Sequence, residues 1–129
     1  MRLDPGYFDA HYNLGLALCG NGEINAGIRS LARATELRPT SVPALTNLGA
    51  ALAMRGDLRP AAAALERALR LDSGSAEAHN NYANLMVRQG NLDGAIVHYR
   101  EALRLNPDLT DARRNLELVL AARDPVPAP

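Results

Sequence analysis

The chain has 129 residues, a length that allows one domain, and its 14 arginines, with no lysine, balance 8 aspartates and 6 glutamates. That neutrality disfavours nucleic-acid and anionic-membrane partners, which need clustered positive charge. A single cysteine, Cys19, excludes an internal disulfide framework and a cysteine-rich zinc site.

No apolar run approaches the ~20 residues of a membrane span, and Met1–Gly6 has no apolar secretory core. With neither segment visible the expected setting is the cytoplasm, of a bacterium, and arginine without lysine reads as the composition bias of a GC-rich coding genome. Ala and Leu, 23 and 21 residues, dominate a vocabulary poor in β-branched and aromatic side chains, which favours helices.

Residues 1–7 carry Leu3-Asp4-Pro5, in phase with Leu37-Arg38-Pro39 and Leu105-Asn106-Pro107. They read as the tail of a preceding repeat, either cut from a longer array or kept as a short N-terminal turn. Residues 8–41 read as two helices with Gly22 in the turn and Arg38-Pro39 closing the unit. In 42–75, Ser41 is placed to cap the first helix and Pro43 lies in its first turn, where a missing N–H costs nothing. Gly56 ends that helix and Asp57 is expected to cap the next, which carries Leu58, Ala61, Leu65, Ala68 and Leu69. Asp72-Ser73-Gly74-Ser75 is a turn cluster. Residues 76–109 repeat the pattern around Gly90 and Asn91. Residues 110–123 form one more helix, with Thr110 as its expected N-cap, and 124–129, rich in proline, are expected to be a disordered tail.

These units share one step. Asn13, Asn47, Asn81 and Asn115 are spaced by 34 residues, as are Ala10, Ala44, Ala78 and Ala112, and Gly22, Gly56 and Gly90. Comparison of 42–75 with 76–109 gives 9 identities in 34 positions without a gap. A helix pair this short cannot bury both apolar stripes alone, and stacking successive pairs buries them against each other. Gly15, Gly49 and the alanine columns allow close helix approach. Gly27, where the other units carry Ala61 and Ala95, is expected to loosen its helix by up to ~1 kcal/mol. Glu117 stands in the column of Gly15, Gly49 and Ala83, where a charge blocks a further packed helix.

A 34-residue helix–turn–helix with these columns resembles the tetratricopeptide repeat (TPR). The first unit supplies His11, Leu14, Gly15 and Leu18, then Gly27, Leu31, Ala34 and Pro39. The second supplies Leu45, Leu48, Gly49 and Leu52, then Ala61, Leu65 and Ala68; the third supplies His79, Tyr82, Ala83 and Met86, then Ala95, Tyr99, Ala102 and Pro107. The departures are Gly27, Ser73 in place of a proline, and the absent Trp. The resemblance implies an all-α, right-handed α-solenoid with TPR units at 8–41, 42–75 and 76–109 and a capping helix at 110–123.

It also implies a function: a non-catalytic scaffold whose first helices line a concave groove that takes an extended peptide or a partner helix. The array is similar to that of O-GlcNAc transferases, in which an asparagine ladder binds the peptide backbone. Asn13, Asn47, Asn81 and Asn115 occupy the corresponding slots. An amide both donates and accepts, so a row of them pairs with a main chain of any sequence. The other reading is that these amides bond to neighbouring helices. The same helix face adds Tyr12, Leu16, Thr46, Ala50, Asn80, Asn84, Arg88 and Arg114. A TPR subclass that grips a chaperone's C-terminal carboxylate is not matched: its slots hold Tyr12, Leu16, Asn47, Glu77 and Asn81, and Glu77 repels a carboxylate.

No catalytic residue, metal site or cofactor is expected. His11 and His79 share a column two repeats apart, roughly 20 Å at about 10 Å per helix layer, and His98 lies on another helix. Cys19 has no His or Asn placed to activate it. Two further roles stay open at this point: the targeting or regulatory arm of a larger enzyme such as a glycosyltransferase, and self-assembly into a homo-oligomer through an exposed N-terminal edge.

Overall fold

The computed structural model describes residues 5–125; the Leu3-Asp4 part of the expected leading tail and residues 126–129 of the trailing one lie outside them. The described residues form seven α-helices and no strand: α1 (Pro5–Gly20), α2 (Ile24–Leu37), α3 (Val42–Arg55), α4 (Leu58–Leu71), α5 (Ala76–Arg88), α6 (Leu92–Leu105) and α7 (Thr110–Arg123). This is an all-α helical-repeat fold of the solenoid class. Pro5–Tyr7, assigned to the leading tail by sequence, already belong to α1. No helix among the described residues is long and apolar enough to cross a membrane.

The periodic turn glycines explain how the chain reverses. Gly22, Gly56 and Gly90 have φ of +82°, +95° and +80°, the left-handed region in which a side chain is strained. The residue after each closes the same bond: Glu23 N–H to Leu18 O, Asp57 N–H to Leu52 O and Asn91 N–H to Met86 O, at 2.8–2.9 Å. This six-to-one closure uses carbonyls that a helix end otherwise leaves orphaned.

Capping follows the sequence in part. The Ser41 hydroxyl accepts from Ala44 N–H at 3.3 Å and Ser75 from Ala78 N–H at 3.2 Å. Asn91 Oδ1 accepts from Gly94 N–H at 2.9 Å. Asp57 makes no side-chain cap bond and instead receives Arg55, 2.6 Å away. The expected cap at Thr110 is corrected: Leu109 is the N-cap, Thr110 is already helical, and its hydroxyl donates to Asp108 O at 3.3 Å. Leu109 has no polar side-chain atom, so this helix starts without a side-chain cap.

The chain divides into two compact units, residues 1–73 and 74–129. In the first, α1 packs on α2 and α3 on α4, with α2 against α3. Phe8, Ala34 and Ala44 form a core cluster flanked by Tyr12 and Leu37. Helices approach closely because small residues face large ones. A Cβ on Gly15 would lie 2.7 Å from Leu31 Cγ, and one on Gly49 2.6 Å from Leu65 Cγ. Leu31 and Leu65 are 1% and 0% exposed, so neither has room to withdraw.

In the second unit α5, α6 and α7 pack in sequence around Ala83, Ala95, Ile96, Tyr99, Ala102, Ala112 and Val119. Here the same columns hold Ala83 and Tyr99, both buried. Ala10 is exposed, whereas Ala44 and Ala112 in its column are fully buried, Ala44 in the cluster with Phe8 and Ala34.

Candidate functional site

The first helix of each pair and α7 carry the asparagine column: Asn13 on α1, Asn47 on α3, Asn81 on α5 and Asn115 on α7. In the first unit, Asn13 and Leu16 are exposed on α1, and Tyr12, Asn47 and Ala50 are half-buried. Asn47 Nδ2 donates to Tyr12 Oη at 3.1 Å and to Pro43 O, one turn back, at 2.9 Å. Tyr12 is held in turn by a parallel stack on Phe8, centroids 5.7 Å apart, and the Arg38 guanidinium lies 4.3 Å over the Phe8 ring. Asn47 is therefore tied to a neighbouring helix, the second of the two readings of that column. Thr46 is 3% exposed and its hydroxyl has no hydrogen-bond partner, so it is not a lining residue of this surface.

The second unit brings more of the expected residues together. Asn84 Oδ1 accepts from both Tyr99 Oη and Asn115 Nδ2, the latter at 3.2 Å. Two donors on one carbonyl fix the amide: Asn84 Nδ2 is turned away from Tyr99, and Asn115 keeps Oδ1 as an acceptor. These two amides border an open pocket of about 260 Å³ completed by Val87, Arg88, Tyr99, Leu118 and Val119. Burial pushes the Tyr99 phenol up to about 12, so it stays a donor through the neutral range. Asn81 is half-buried on α5. Asn80 is 8% exposed with an unpartnered Oδ1, and like Thr46 it is buried instead of lining the surface. Arg114 is exposed and paired with Asp111 at 3.3 Å, outside the pocket lining.

Sequence reasoning missed two features. Tyr99 lies on α6, a second helix, yet its hydroxyl donates to the Asn84 amide of α5, which also receives Asn115 of α7. The signal was a phenol in the Leu31 and Leu65 column, because a buried Tyr needs a partner for its hydroxyl. His79 and His98, treated as unrelated, meet with Nδ1 atoms 3.0 Å apart. Their columns hold Leu45 and Ala64 in the preceding repeat, so polar residues had replaced an apolar pair. Cys19 is half-buried, and burial pushes its thiol up, away from a nucleophile's range.

The fold defines a class, helical-repeat proteins built from successive helix pairs. Residues 76–109 match the family model "Tetratricopeptide repeat". Among solved structures, the chain is similar to a Thermobaculum terrenum O-GlcNAc transferase mutant (28% identity, TM-score 0.90, 98% of this chain, 24% of that one). It is also similar to YrrB, described as "a TPR protein with an unusual peptide-binding site" (25% identity, TM-score 0.79, 85% of this chain, 57% of that one). The first TPR of Spaghetti (RPAP3), solved bound to the HSP90 peptide SRMEEVD, shares the fold (17% identity, TM-score 0.85, 95% and 98% coverage). Residues 76–109 are a tetratricopeptide repeat, and the chain shares the helical-repeat fold of these structures. It spans about a quarter of the O-GlcNAc transferase chain it matches. No curated protein matches its sequence significantly.

Proposed function

We propose that this chain is a non-catalytic interaction scaffold that takes an extended peptide, or a helix of a partner protein, on its inner helices. The observation that carries the reading is the Asn84–Asn115 pair at the open pocket of the second unit. Asn84 Nδ2 donates to a peptide carbonyl, Asn115 Oδ1 accepts from a peptide N–H, and Leu118 and Val87 contact an apolar side chain. Further support comes from the fold shared with a peptide-bound TPR domain. In the first unit, exposed Asn13 and Leu16 offer the same mixture, while Asn47 contributes through Tyr12.

The test is selection of binders from a random peptide display library, followed by affinity measurement on the wild type and on the double variant Asn84→Ala/Asn115→Ala, which removes both pocket amides. A loss of tenfold or more with an unchanged helical circular dichroism spectrum supports the reading. Unchanged affinity, or no peptide selected at all, refutes it.

A second reading, self-assembly through α1, is favoured by exposed Ala10 beside Tyr7 and Leu14, which are 55% and 51% exposed. Sedimentation at rising concentration decides it: a monomer throughout removes self-assembly. A third, the arm of a larger enzyme, rests on the similarity to part of an O-GlcNAc transferase and is decided by the full gene.

A further inference from the structure

Within the second unit, α5 and α6 bring two imidazoles into contact. His79 Nδ1 and His98 Nδ1 are 3.0 Å apart, with ring centroids at 5.3 Å and planes 25° from parallel. The Tyr82 ring meets His98 edge-on at 4.9 Å and walls one side. Both histidines are half-buried, so the pair is within reach of solvent. Without an ion, one Nδ1 must carry a proton and donate while the other accepts.

Divalent transition ions bind imidazole at about 2.0–2.1 Å, so a tetrahedral ion holds two nitrogens roughly 3.4 Å apart. The observed pair is a few tenths of an ångström from that span, and chelation replaces the nitrogen–nitrogen hydrogen bond by turning both lone pairs toward one point. We propose that His79 and His98 chelate one imidazole-preferring divalent transition ion, bridging α5 and α6. Among the described residues no group of three or more His, Cys, Asp or Glu forms a complete site, so water fills the remaining positions and the ion exchanges readily. Glu101, one turn beyond His98, is engaged by Arg104 at 3.0–3.1 Å and adds negative charge near the ion without ligating it. Nitrogen-only ligation selects copper, zinc or nickel over magnesium or calcium.

The test uses the full chain, zinc and magnesium chloride. Zinc at a hundredfold excess over its dissociation constant is expected to raise the melting temperature by about 5–10 °C, with one ion per chain, and magnesium to do nothing. His79→Leu and His98→Ala copy the residues at Leu45 and Ala64 of the preceding repeat, so each is expected to fold and to lose the shift; His11→Ala is expected to keep it. Long-range 1H–15N spectra of the wild-type histidines make the test independent of the variants: zinc moves the Nδ1 signals of His79 and His98 and leaves those of His11. No zinc-dependent shift in the wild type, or a shift that survives both substitutions, overturns the proposal.

Discussion

Gly27 lies against Cys19 so tightly that a Cβ at position 27 would overlap the Cys19 sulfur and come within 3.1 Å of both Cys19 N and Gly15 O. The two residues fill one space between α1 and α2. In the following repeat the same two columns hold Ala53 and Ala61, 8% and 0% exposed. Gly27, read from sequence as a weakness, is thus the complement of a sulfur. Gly27→Ala is expected to destabilise by about 1–2 kcal/mol, overpacking outweighing the gain in helix propensity. Cys19→Ala/Gly27→Ala, which copies the Ala53/Ala61 pair, is expected to recover most of that loss. Urea denaturation of the two singles and the double gives the coupling, and additive effects would contradict it.

Tyr99 donates to Asn84 from a fully buried ring. Tyr99→Phe removes one bond and leaves Asn84 Oδ1 with Asn115, so the expected cost is about 1 kcal/mol. The phenol also titrates late, near 12 against an ordinary 10. The folded chain holds this proton where the unfolded chain has released it, so the contribution is complete below pH 10 and lost as pH rises from 10 to 12. Alkaline absorbance titration is expected to show a component near 12 that Tyr99→Phe abolishes.

Helix starts separate bonded caps from nominal ones. Ser41→Ala and Ser75→Ala each remove a side-chain acceptor from a helix N–H and are expected to cost about 0.5–2 kcal/mol. Thr110→Ala is expected to change stability by no more than a few tenths, because its hydroxyl bonds to Asp108 and not to its own helix. Thermal melts of the three variants check the order.

Asn47 has an internal partner, so Asn47→Ala is expected to cost about 0.5–1.5 kcal/mol of stability even without ligand. Tyr12→Phe is expected to remove most of that difference when combined with Asn47→Ala, since the bond is already absent. A double-mutant cycle by chemical denaturation measures it.

The repeat register, the seven helices and their turns were legible because 34-residue columns impose the same reversal three times, each with a left-handed glycine. The buried face was legible from the alanine and leucine columns. What escaped was cross-helix pairing of polar groups. Thr46 and Asn80 lie on the same face as Asn47 and Asn81, and helical spacing says nothing about which of two adjacent residues is covered. Nor does it reveal that Tyr99 reaches across to Asn84, or that His79 and His98, 19 residues apart, meet. Asn13 and Asn115 differ similarly: one is exposed on α1, the other donates to Asn84, although both share a column. Thr110 failed as a cap because the turn before it, held by Leu109 N–H on Asn106 O at 3.2 Å, starts the helix one residue sooner.

The most direct measurement is a 1H–15N titration of the labelled chain with a library-selected peptide, followed through the asparagine side-chain amides and the backbone. The expected result is that the side-chain signals of Asn81, Asn84 and Asn115 move together with backbone signals of α5 and α7. Shifts confined to α2, α4 and α6, with those amides unmoved, would contradict recognition by the inner helices.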